Sequence, residues 1–90
     1  MKVTGVIKVL KDTNQVSEKY SKRELVVTTN DQHPQDISIE FSQDKCSLLD
    51  SFEIGQNVDV SINFKGREWT SPQGEVKYFN TVQGWNISLI

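Results

Sequence analysis

Two alternating runs joined by Ser71-Pro72-Gln73-Gly74 constrain this chain more than any other feature. Val58, Val60, Ile62 and Phe64 alternate with Asp59, Ser61, Asn63 and Lys65, the period-two pattern of a half-buried strand. Pro72 fixes φ where a turn needs it, and Gly74 closes the turn. A long hairpin is therefore expected, from Asn57 to about Trp69 and from Val76 to the end. The even residues of the first run are apolar, so Lys65, Arg67 and Trp69 face outward. With Ser71 paired to Gly74, Arg67 lies opposite Tyr78, Lys65 opposite Asn80 and Trp69 opposite Val76. Lys65, Arg67, Trp69 and Tyr78 then share one outward face, while Lys77 falls on the other. Phe79 joins Phe64 on the core side, and Trp85 follows it there by parity. A slip of one residue reverses the whole assignment, because side chains repeat every two positions.

The rest of the chain supplies three more strands and a helix. Lys2 to Lys11 reads as a first strand whose alternation changes phase between Val6 and Ile7, just after Gly5. A bulge there lets one long strand bend and serve two sheets. Asp12 to Ser21 is polar and reads as a loop, and Lys22 to Thr29 reads as a second strand. Asn30 to Gln35, which includes His33, is turn chemistry, and Ile37, Ile39 and Phe41 mark a third strand. Gln43–Phe52 then breaks the β pattern. It has an acid in its first turn and Leu48, Leu49 and Phe52 at helical spacing, with Gly55 as a stop. Three strands, a short helix and two strands in 90 residues fit one all-β domain. The expected form is a five-stranded OB-fold barrel whose helix, between strands 3 and 4, plugs one end. An SH3-like barrel is the rival, and the helix before the fourth strand favours OB.

Composition narrows the chemistry. The formal charge is −2, so an anionic partner must be met by a local patch. Lys19, Lys22, Arg23, Lys65, Arg67 and Lys77 cluster near two expected loops, while most acids lie elsewhere. The single cysteine, Cys46, excludes an internal disulfide framework and any multi-thiolate metal site. It reads as a small buried apolar residue. No apolar leader or membrane-length run is present, which points to a cytoplasmic chain. One His, one Cys and no phosphate-cradling glycine loop leave nothing from which to assemble a catalytic site or bind a cofactor. Binding is expected in place of catalysis.

Aromatics interleaved with cations near a turn suit one kind of ligand above others. Aromatic faces stack on bases, and Lys and Arg meet phosphates. Trp69, Tyr78, Arg67, Lys65 and Lys77 are the candidate contacts on the hairpin. Tyr20, Lys22 and Arg23 join them from the loop between strands 1 and 2, where OB folds often hold a ligand. Each has a plainer reading: Trp69 and Tyr78 as anchors in a protein contact, and the lysines and arginines as solvated strand charges.

The residues Phe41, Leu48-Leu49, Phe52, Gly55-Gln56, Val58, Val60, Arg67-Glu68-Trp69-Thr70, Gly74, Lys77-Tyr78 and Thr81 together resemble the bacterial single-stranded DNA-binding protein family. The Gly-Arg-Glu-Trp and Lys-Tyr-Phe-Asn-Thr segments also resemble a family of short uncharacterised bacterial proteins. The first resemblance implies single-stranded DNA binding (RNA being the other possible ligand) in replication, recombination or repair. It also implies a homo-oligomer, a dimer or tetramer, with no membrane partner. That family has a further stacking Trp leading into its third strand, where Gln35 stands here. Its extension with an acidic, partner-recruiting tip has no counterpart after Ser88-Leu89-Ile90.

Overall fold

A first strand long enough to bend holds the molecule together. In the computed structural model, which describes residues Met1–Ile90, the order is β1 (Lys2–Leu10), β2 (Asn14–Ser17), β3 (Tyr20–Thr29) and β4 (Asp36–Ser42). A 3-10 helix (Gln43–Ser51), β5 (Asn57–Thr70) and β6 (Val76–Leu89) follow. The Lys2–Val6 part of β1 pairs with β5, and the Gly5–Leu10 part pairs with β3. The irregularity lies between Ile7 and Val9, two residues later than the sequence pattern places it. Gly5 is where the two partners converge: a Cβ there would sit 2.0 Å from the Thr28 carbonyl oxygen. Only glycine allows that approach.

The ring runs β1-β5-β6-β4-β3 and back to β1. All pairings are antiparallel except one parallel bridge, Glu40 to Gln83, between β4 and β6. This is the all-β OB class expected, with one addition. The stretch read as a loop contains β2, which pairs with the first residues of β3. All four of its residues are exposed, so no apolar alternation betrays it.

One apolar cluster fills the ring. Leu25, Val27, Ile39, Phe41, Leu49, Val58 and Val60 are fully buried, with Ile7, Ile62 and Ile87 beside them. The helix closes one end as expected, but by a different stripe. In a 3-10 helix residues three apart eclipse, so Cys46 and Leu49 are buried and Phe52 packs against the core. Leu48, expected inside, is exposed. Cys46 is buried, with its Sγ 3.4 Å from the Phe41 carbonyl. No helix is long and apolar enough to cross a membrane.

Trp85 corrects a second expectation. Ser61 pairs with Asn86 and Ile62 with Gly84, so Trp85 is an extra residue in β6. The bulge reverses parity along β6, and Trp85 is 47% exposed. Gly84 takes the inward place, directly under the Phe41 ring.

Candidate nucleic-acid interface

Gly74 determines which side chains share the faces of the β5–β6 hairpin. The Gly74 N–H donates to the Ser71 carbonyl at 2.9 Å, closing the expected turn. The next strand pair, however, is Ser71 with Glu75, whose carbonyl accepts the Ser71 N–H at 2.8 Å. The Glu75 N–H donates to Ser71 Oγ at 3.0 Å. Gly74, at φ 90°, is left over. This is a three-residue loop with a left-handed glycine bulge, where the sequence suggested a two-residue loop. The extra residue moves every pair by one. Lys65 faces Thr81, Arg67 faces Phe79, Glu68 faces Tyr78 and Trp69 faces Lys77.

One face therefore carries Lys65, Arg67 and Trp69 from β5, with Lys77, Phe79 and Thr81 from β6. Phe79 was expected in the core and Lys77 on the other side; both lie with Arg67. The Arg67 guanidinium carbon is 5.7 Å from the Phe79 ring centroid, within cation–π range. Trp69 is 42% and Phe79 46% exposed, so each has an apolar face available. The chain's five ion pairs engage Lys2, Lys8, Lys11, Lys22 and Arg23. Lys65, Arg67 and Lys77 have no carboxylate partner and are free to meet an external anion.

The opposite face is different in kind. Tyr78, expected beside Trp69, lies there, 72% exposed, and its hydroxyl donates to Glu68 Oε1 at 3.0 Å. Phe64 keeps its expected parity but stands beyond the end of the barrel, where no core reaches it, and is 64% exposed. Val76 is exposed on the same side. This face has aromatic and aliphatic surface and one acid, with no lysine or arginine.

At the foot of the ribbon the cationic face runs into a groove of about 230 Å³ bordered by Tyr20, Glu40, Lys65, Arg67, Phe79 and Gln83. Tyr20 thus borders the same groove as the hairpin residues. Partial burial, then the Glu40 carboxylate, push its phenol above the ordinary tyrosine range, so it remains a donor. A second, wider groove of about 510 Å³ continues from it across Lys22 and Lys11, sharing Glu40 and Thr81. Lys22 lies 3.8 Å from Glu40. Arg23 borders the wider groove but is held from within. Its Nη1 is 2.6 Å from Asp50 and 3.3 Å from the Cys46 carbonyl, and its Nε donates to the Lys11 carbonyl at 2.6 Å. The side chain, 10% exposed, ties the helix to the β1 end.

Sequence reasoning missed Phe79, Glu40 and Gln83. The signal for Phe79 was the glycine itself, since Pro followed two residues later by Gly also fits a loop ending in a left-handed residue. No three His, Cys, Asp or Glu side chains converge as a metal centre would require.

The fold has clear counterparts. The mitochondrial single-stranded DNA-binding protein Rim1 of S. cerevisiae superposes with a TM-score of 0.64 at 15% identity, over 100% of this chain and 92% of that one. The small single-stranded DNA-binding protein of Streptomyces coelicolor gives 0.59 at 16% identity, with the same coverage. No curated protein matches the chain in sequence. The model of one family, a domain of unknown function (DUF3127), matches residues 2–88, and the chain belongs to that family.

Proposed function

We propose that the chain binds single-stranded DNA with little sequence preference overall. Bases stack on Trp69 and Phe79, and phosphates meet Lys65, Arg67 and Lys77. The path continues past Tyr20 toward Lys22. One observation carries this reading: the three hairpin cations without carboxylate partners share a face with two half-exposed aromatics. That face pairs the two chemistries a single strand requires. The similarity in fold to single-stranded DNA-binding proteins supports it. RNA could present the same stacking surface and phosphates. The role is binding without catalysis, in replication, recombination or repair, in the cytoplasm.

The test is quenching of Trp fluorescence by poly-dT in a Trp85→Phe background, so that Trp69 is the only reporter. Three phosphate contacts on a single strand give a log–log salt slope of about −2. Trp69→Ala should weaken binding by about 1–3 kcal/mol, measured by anisotropy of labelled DNA, and leave the fold intact. Absence of binding at low salt would end the proposal.

A second reading belongs to the other face. Phe64, Val76 and Tyr78 form an exposed surface without cations, which suits a protein contact and repels phosphate. We place self-association, as a dimer or tetramer, on this side. A two-stranded ribbon is only marginally stable alone in water, and a second copy would cover it. Light scattering at tens of micromolar is the measurement, and a monomer mass there removes this reading.

A further inference from the structure

The groove at the foot of the ribbon holds an acid where a phosphate-binding surface would exclude one. Glu40 projects from β4 between Tyr20 and the Arg67–Phe79 stack, its side chain 28% exposed. Its contacts are few and long. The Tyr20 hydroxyl is 3.5 Å from Oε2, and Lys22 Nζ is 3.8 Å from Oε1. The first is at the outer limit of a hydrogen bond and the second is beyond it. A carboxylate can accept about four hydrogen bonds, so this one retains most of its capacity, directed into a groove with aromatic walls. The groove, about 230 Å³, is large enough to admit a base.

We propose that this groove is a base pocket that selects for an exocyclic amino group, and that Glu40 is its reader. The inference rests on the single-stranded DNA reading above and makes one position of the bound strand selective. Cytosine N4, adenine N6 and guanine N2 are amino donors that a carboxylate accepts, as Glu does from cytosine. Thymine offers O4 in that place, and a carboxylate facing it is two acceptors without a proton. Tyr20 and Phe79 hold the ring by its faces, so stacking admits any base and Glu40 discriminates among them. Lys22 offsets the charge of Glu40, so the neighbouring phosphates are not driven away.

The experiment uses the intact chain and dT8 oligomers in which a single dC replaces each dT in turn, at constant salt and pH 8. Dissociation constants are read by fluorescence anisotropy. The proposal expects dC at one or two adjacent positions to tighten binding about fivefold or more, with the remaining positions neutral. Glu40→Gln, whose amide can donate to thymine O4 and accept from cytosine, should bring that ratio within about twofold while dT8 still binds. Binding of dT8 by the intact chain with no position favouring dC overturns the pocket and leaves the general reading standing. A dC preference that survives Glu40→Gln overturns Glu40 as the reader. Failure of every oligomer to bind overturns both proposals.

Discussion

Gly84→Ala tests the packing that holds the barrel and the ribbon in one frame. A Cβ at position 84 would lie 2.4 Å from Cζ of Phe41, 2.6 Å from Cε2 and 2.8 Å from Cε1. Ordinary contact begins near 3.4 Å, so the ring or the strand must move by about 1 Å. Phe41 is fully buried and packed by the cluster around it, which leaves no void to receive the shift. Overpacking of this kind costs about 1–3 kcal/mol, and three simultaneous close contacts place this case in the upper half, about 2–3 kcal/mol. For a domain of this size each kcal/mol moves Tm by roughly 4–8 °C. Circular dichroism melts should therefore fall by roughly 8–24 °C, with a matching drop in urea midpoint and an unchanged m-value. Phe41→Leu in the same chain removes the ring atoms that clash. The double variant should lose less than the sum of the two singles, a coupling that neighbouring residues show and distant ones do not. A Gly84→Ala cost below about 0.5 kcal/mol, or strict additivity with Phe41→Leu, would show that the ring does not rest on Gly84.

Three further outcomes follow from the geometry. Phe79→Ala should weaken DNA binding by about 1–3 kcal/mol, whereas Tyr78→Ala should leave affinity within about twofold, since its ring is on the other face; equal losses by anisotropy titration would refute the hairpin register. Arg67→Ala should lower the salt slope by roughly one unit and weaken all sequences alike; an unchanged slope in a salt titration would remove it from the phosphate path. Three carboxylates are held below their ordinary range: Glu24 by Lys11 and Ser38, Asp36 by Lys8 and Thr28, and Asp59 by Thr4 and Lys2. A depressed folded-state pKa favours the fold above the ordinary carboxylate range, and that contribution is lost as pH falls through the depressed values. Urea midpoints should be flat near neutrality and decline below about pH 4, less steeply in Asp59→Asn; a midpoint rising toward acid would contradict the pairing.

Much of this molecule was legible from residues because its strands are half-buried and alternate cleanly. Val58, Val60 and Ile62 place β5, Leu25 and Val27 place β3, and Ile37, Ile39 and Phe41 place β4. The helix could be located by the break in that pattern, although not its pitch. Helical spacing selects Leu48, and three residues per turn selects Cys46. The hairpin faces were misread at two places where one residue is added without a partner. Gly74 and Trp85 each shift parity by one, and a period of two has no tolerance for such a shift. At Gly74 the residues allow two loop lengths, and at Trp85 alternation alone does not mark the bulge. Tyr78 and Phe79 are adjacent in sequence, so one inserted residue exchanges their roles.

The single bridge between Glu40 and Gln83 gives the barrel an uneven girth. β3 and β4 are laced by seven register pairs, while β4 and β6 are joined by one. Opening the ring along that line sacrifices the fewest ladder bonds, because separating the strands elsewhere breaks several at once. Tyr20, Ser42, Thr81 and Gln83 lie along it, at the mouth of the smaller groove. The groove thus opens on the seam with the fewest ladder bonds, closed there by the Gln83 Nε2 donor on Ser42 Oγ at 3.2 Å and by Gly84 under the Phe41 ring.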